Sequence, residues 1–168
     1  MARAGRRPPQ GEVVVDEETG SPIYLISIRP QFAFQIFKRV KKFELRRWIG
    51  VPVPEGSVMV VYVSGHVKAI MGEFRVGRVY SGSAEDVWRS VHMHPSPGVG
   101  RSDWPYIKGA KRALALEVVD AKLYPRSVQL WEIRRIIPGW MPPLSYKVLR
   151  PCDPVYELII KPLRRLTS

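Results

Sequence analysis

A single cysteine, Cys152, excludes an internal disulfide and any cysteine-rich zinc site. Histidine is nearly as scarce, at three residues. Two of them, His92 and His94, form a His-x-His pair, but it falls at a helix end before Pro95 with no third ligand nearby, so no metal site is expected. Ser64 and His66 lie two residues apart without an orienting acid, which is not a nucleophilic triad. Neither a Gly-x-x-x-x-Gly-Lys loop nor a dinucleotide fingerprint occurs, and no cofactor is expected. No run approaches about 18 consecutive apolar residues, so no membrane span is expected. Residues 1–10 are basic but lack the apolar core of a signal peptide. These absences together predict a cytoplasmic protein without a disulfide-linked partner.

Acidic residues are the other deficit. Asp and Glu number 15 against 27 Lys and Arg, giving a net charge of +12 and a pI near 10.2. A heat-adapted surface is also rich in charge but carries both signs in balance. An excess of this size favours a polyanion through counterion release, and a strongly basic domain is the usual electrostatic footprint of nucleic-acid binding.

The 168 residues suffice for one domain with its own core. Residues 1–11 carry three arginines and a proline pair without apolar periodicity, and are expected to form a flexible basic arm. Residues 13–15 predict a short edge strand, residues 17–20 a turn, and residues 23–28 a strand. Pro30 then suits the first position of a helix whose apolar face is Ala33, Ile36, Phe37 and Val40. Lys38, Arg39, Lys41 and Lys42 fall in its expected last turn, at the negative end of the helix dipole. The period next changes to two, with Phe43 and Leu45 apolar and Lys42, Glu44 and Arg46 charged, so a half-exposed strand is expected. Residues 58–63 predict a central strand, and residues 67–79 an extended stretch with bulges at Gly72 and Gly77. Ser83 with Asp86 opens a helix striped by Ala84, Val87, Trp88 and Val91. Residues 93–109 form a Pro- and Gly-rich loop of a length usually kept for function. Residues 113–123 predict a long strand, while residues 130–137, Pro142-Pro143 and residues 155–160 complete the core. The pattern is α+β: a small mixed β-barrel carrying two or three short helices, in which closure would remove exposed sheet edges.

The strand–helix–strand start, from Ile26-Ser27-Ile28-Arg29-Pro30 through Lys41-Lys42-Phe43-Glu44-Leu45-Arg46, resembles the ASCH domain, a family of PUA-like barrels found largely in RNA-associated proteins. Its signature is Gly-x-Lys-x-x-Glu-x-Arg; Lys41, Glu44 and Arg46 match, and Arg39 stands at the glycine. The similarity continues through Val60-Val61-Tyr62, Ala69-Ile70-Met71-Gly72-Glu73, Tyr106 with Gly109, residues 113–118 and Pro142-Pro143-Leu144-Ser145-Tyr146. It implies a barrel over residues 12–149, a C-terminal extension over residues 150–168, and a cleft between the first helix and the sheet lined by Lys41, Glu44 and Arg46. Because arginine adopts the left-handed conformation only at a cost, the first helix is expected to run one turn longer or to end in a different turn. Some small bacterial relatives are amidohydrolases of modified cytidine that pair the motif lysine with a threonine where this chain has Glu44.

In such a cleft Arg46 would fork onto a phosphate or base edge, Lys41 would place a point charge on phosphate, and Glu44 would accept from an exocyclic amine or orient Arg46. The structural alternative is an internal Lys–Glu–Arg ion network at the barrel seam. Arg39 and Lys42 beside the motif, and Arg101 and Lys108 in the long loop, would grip the backbone, with Trp104 and Tyr106 as a stacking platform. Trp48 and Trp140 are expected to pack. The functional expectation is a nucleic-acid-binding module for RNA rather than DNA, since an unstacked base can enter a pocket and a paired one cannot. The alternatives are a hydrolase of a modified nucleoside or RNA using Lys41 and Glu44 as acid and base, and a DNA-binding regulator.

Overall fold

The computed structural model describes residues 11–167. Except for Gly11, the expected basic arm lies outside the described residues.

Two strands are apolar on both faces and therefore sit at the centre. β1 (Ile23–Ile28) and β3 (Val58–Val63) pair in parallel, Ile23 opposite Val58 and Ile28 opposite Val63. A strand covered on both sides reads as a continuous hydrophobic run, which is how both read. Around them β2 (Phe43–Arg47), β4 (Ala69–Gly82), β5 (Ala113–Gln129) and β6 (Tyr146–Val148) complete a sheet of order β2-β5-β4-β3-β1-β6. All neighbours except β1 and β3 are antiparallel. Between β4 and β5 the register shifts at three places, one of them beside Gly72. A Cβ at Gly72 would collide with the Lys122 carbonyl and the Phe37 ring, so only glycine lets β4 lie this close to β5 and α1.

The sheet curls into a half-barrel and does not close. β2 and β6 remain its edges, so the expected small mixed α+β barrel is present with its seam left open. β6 is only three residues long and spends its ladder on β1. Four short helices cover the curl. On its concave side α1 (Pro30–Phe37) buries Phe32, Ala33 and Ile36 against Ile26, Val61, Phe74 and Leu116. α2 (Ala84–His92), capped by the Ser83 hydroxyl accepting from the Asp86 N–H at 3.1 Å, packs Val87 and Val91 on Phe43, Leu45, Ala113 and Ala115. α3 (Leu130–Ile136) begins in a Gln129–Glu132 capping box. A π turn (Tyr156–Ile160) leads into α4 (Lys161–Thr167). Pro162 has no N–H to return to the preceding turn, and the wider turn before it accommodates that loss. Val155, Ile159, Ile160 and Leu163 from this segment cover Ile23, Leu25, Val58 and Val60 on the convex face.

Other departures from expectation have local causes. Residues 13–15 form a single bridge, Val15 to Pro22, rather than a strand. β5 continues past residue 123 to Gln129, and Pro125 is tolerated because β2 pairs with β5 only over residues 113–117 and β4 skips residues 124–127. The first helix stops at Phe37 instead of running longer, and Val40 is exposed. Arg39 takes the left-handed conformation at φ 62°. Its N–H bonds the Ile36 carbonyl, and the Val40 N–H reaches back to Gln35, both at 2.9 Å. This is the Schellman closure normally built on glycine, here built on arginine.

Candidate functional site

The open seam is where the motif side chains meet. Arg46 leaves β2 and spends its guanidinium across the gap: Nε donates to Glu44 Oε1 at 3.2 Å, Nη2 to the Ser27 carbonyl of β1 at 2.6 Å, and Nη1 to the Ser145 hydroxyl before β6 at 3.4 Å. One side chain thus joins the edges that the backbone ladder leaves apart. The Ser27 hydroxyl donates to the Pro143 carbonyl at 2.6 Å and pins the segment approaching β6.

A cleft of about 540 Å³ opens beside this staple, with Phe32 of α1, Glu44, Arg46, Tyr62 of β3, Asp103, Tyr106 and Ser145 among its walls. That volume lies within the range of small-molecule and nucleotide sites. Glu44 is 5% exposed. Its Oε1 has Arg46, while Oε2 is buried and without a hydrogen-bond partner. A buried carboxylate oxygen left without a donor is costly and rare. Lys41 is 1% exposed and lines a neighbouring hollow rather than the cleft. Its ammonium pairs with Asp103 Oδ1 and stands 5.1 Å from the Phe32 ring centroid. The second Asp103 oxygen accepts from the Gly100 N–H at 2.9 Å, so Asp103 holds the long loop against the motif. Gly98 keeps that loop close: at φ 69° it lies against the Val40–Lys41 backbone, where a Cβ would collide with the Val40 carbonyl. Tyr106 contributes a half-exposed ring, edge-on to Phe32 at 5.3 Å. Burial pushes the Tyr62 phenol above its ordinary range, partly offset by Arg134, so it is a neutral hydroxyl in the cleft at physiological pH.

No protein-family model and no curated protein matches the chain. Solved structures do. The ASCH protein of Zymomonas mobilis superposes with a TM-score of 0.65 at 24% identity, covering 77% of this chain and 89% of that one. This chain has the ASCH fold. Two single-residue variants of the same Zymomonas protein match it equally well, at 23% identity and TM-scores of 0.65 and 0.66. A looser likeness, at a TM-score of 0.51 and 15% identity over 91% of this chain, links it to the N-terminal domain of McrB from Staphylothermus marinus.

On this ASCH fold the residues singled out in the sequence separate into groups. Glu44, Arg46 and Tyr106 line the seam cleft, and Lys41 is linked to it through its ion pair with Asp103 of the cleft wall. The three motif side chains do not form one Lys–Glu–Arg network: Glu44 and Arg46 pair with each other, and Lys41 with Asp103. Arg39, Lys41 and Lys42 line a neighbouring hollow of about 440 Å³ shared with Glu117 and Asp120, and Lys42 Nζ donates to the Arg39 carbonyl at 2.7 Å. Trp104 stacks edge-on with Trp88 at 5.1 Å, beside Arg101 in a third hollow, so Trp104 and Tyr106 do not share a platform. Lys108 is exposed, and its carbonyl accepts from Arg47 Nη2 at 2.6 Å. His94 bonds the Tyr80 hydroxyl at 2.9 Å, and both His92 ring nitrogens face carbonyls, of Trp88 and Val99. Trp48 carries Arg112 over its ring at 4.3 Å, and Trp140 packs on Tyr62. Sequence reasoning missed Asp103, Ser27, Ser145 and Tyr62. Asp103 left one usable signal, a lone acid in a loop otherwise basic and aromatic.

Proposed function

We propose that this ASCH domain binds RNA and that the seam cleft receives one unpaired base. The observation carrying the proposal is Glu44 Oε2, a buried carboxylate oxygen at the cleft wall with no donor of its own. A base bearing an exocyclic amine supplies such a donor, as adenine, cytosine and guanine do. Tyr106 offers a ring for the base to lie against. Exposed Arg29 and Arg47 line the same cleft and can meet the flanking phosphates, within a chain of net charge +12. Arg46 acts as the staple that shapes the cleft, since its donors are engaged by Glu44, Ser27 and Ser145. Single strands suit the site because a duplex hides the edge that Glu44 would read. A hydrolase with Lys41 and Glu44 as acid and base is less well supported, because the Lys41 ammonium is held by Asp103.

Binding of single-stranded RNA, duplex RNA and duplex DNA across a salt series tests this. Single-stranded RNA should retain an advantage at high salt, and Glu44→Gln should weaken it about tenfold or more, the scale of one charged hydrogen bond. Equal binding of all three that disappears with salt, unchanged by Glu44→Gln, would leave only nonspecific charge attraction.

A further inference from the structure

A second basic hollow lies beside α3. It measures about 490 Å³ and is walled by His66, Lys68, Trp131, Arg134 and Arg135, with Gln129 and its neighbours at the base. Trp131 is 59% exposed on α3, an unusual place for the largest side chain of a domain that buries most of its apolar groups. Lys68, Arg134 and Arg135 around it are exposed as well. The only acid in α3, Glu132, is turned away from this group: it caps the Gln129 N–H at 2.8 Å and lies 3.6 Å from Arg126. Lys68 holds a left-handed backbone at φ 52°, and its carbonyl accepts the first N–H of α3 at 2.8 Å.

The hollow neighbours the seam cleft without sharing a wall residue with it. Tyr62 and Ser64 line the cleft and His66, two residues on, lines the hollow. Trp140 packs on Tyr62 at 6.0 Å, and its carbonyl accepts from Arg134 Nε at 3.1 Å. Arg134 also reaches the Met141 sulfur at 3.3 Å, and Met141 belongs to the cleft wall. Arg134 is therefore the divide between the two spaces.

We infer that α3 carries a second subsite for the same RNA strand, in which a base stacks on Trp131 and Lys68 and Arg135 meet its flanking phosphates. An exposed tryptophan framed by cations is the arrangement that holds single strands without reading their sequence. A protein partner with an apolar face would instead have to desolvate three cations, while Glu132, the acid of α3, is committed to Gln129 and Arg126. The inference rests on the seam cleft taking the neighbouring base.

The experiment is a binding series of single-stranded RNAs from a dinucleotide upward, read by fluorescence anisotropy with wild type, Trp131→Ala, Trp131→Phe, Arg135→Ala and Glu44→Gln. Wild-type affinity should step up once the strand spans both sites. Trp131→Ala should remove that step, about a tenfold loss or more on long strands, and leave the dinucleotide unaffected. Trp131→Phe should keep most of it, and Arg135→Ala should reduce the salt dependence by about one counterion. If Glu44→Gln weakens every length while the α3 variants bind like wild type, the second subsite is wrong and the cleft stands. If neither set of variants changes binding, both fall. Sedimentation showing self-association that Trp131→Ala abolishes, with RNA affinity unchanged, would assign the surface to a second copy of the chain and overturn the proposal.

Discussion

Glu44 and Arg46 show how two side chains on one strand face can have different tasks. The pair interaction satisfies one oxygen of Glu44 and one nitrogen of Arg46, and the remaining guanidinium donors hold Ser27 and Ser145 across the seam. Replacing Arg46 by Ala leaves the Glu44 carboxylate buried without its cation and frees the β2 edge, so it should cost about 3–5 kcal/mol in urea denaturation. An Arg46→Ala protein as stable as wild type would show that the staple contributes little. The alternation of residues 43–46 placed Glu44 and Arg46 on one side, but a period of two does not distinguish solvent from a cleft. Both turned out largely buried because the unclosed sheet folds that side inward. Arg39 illustrates the opposite limit. Its φ of 62° costs a non-glycine residue roughly 1 kcal/mol, set against one bond from Nη2 to the Ala121 carbonyl at 3.3 Å. Arg39→Gly should therefore raise the unfolding midpoint slightly, by up to about 1 kcal/mol; a clear loss of stability would mean that the Ala121 contact outweighs the backbone strain.

Among the elements, the terminal helix α4 is held by charge as much as by apolar burial. Arg164 donates to Glu73 at 2.8 Å and to Asp16 at 3.0 Å, Arg75 meets the other Asp16 oxygen at 2.8 Å, and the Tyr124 hydroxyl donates to Glu73 at 2.9 Å. Burial alone would push the Asp16 carboxyl up; hydrogen bonds from Arg75, Arg164 and Thr19 overcome it and hold the group well below its ordinary value of 3.8. A carboxyl lowered in the folded state stabilises fully above its unfolded value and loses that contribution as pH falls toward the folded one. Denaturation midpoints should thus be level from neutrality to about pH 4 and decline below it. Arg164→Ala should destabilise at neutral pH by about 3–5 kcal/mol, because Glu73 is left buried with too few donors. A flat acid profile in wild type would contradict the role given to Asp16. None of this network was legible in the sequence, since Asp16, Glu73 and Arg164 are brought together from three distant parts of the chain.

For the whole molecule, the convex face of β1 and β3 depends on the segment beyond Leu149. Val155, Ile159, Ile160 and Leu163 cover it, and a chain ending at residue 149 would bare this surface and lose Arg164 as well. Its circular-dichroism melt should lack a cooperative transition; a sharp melt at the full-length midpoint would show that the segment is dispensable. Much of the architecture was already written in local pattern. The two-sided apolar runs of β1 and β3 required burial on both faces, and the Ser83 start required a helix. Tertiary structure decided the rest. It left the barrel open between β2 and β6, where Arg46 spans the gap to Ser27 and Ser145. It also paired Lys41 with Asp103, separated Trp104 from Tyr106, and set Trp131 in the open on α3. Periodicity records which side of an element is apolar, whereas distances between elements arise only when the sheet curls and brings distant side chains within hydrogen-bond reach.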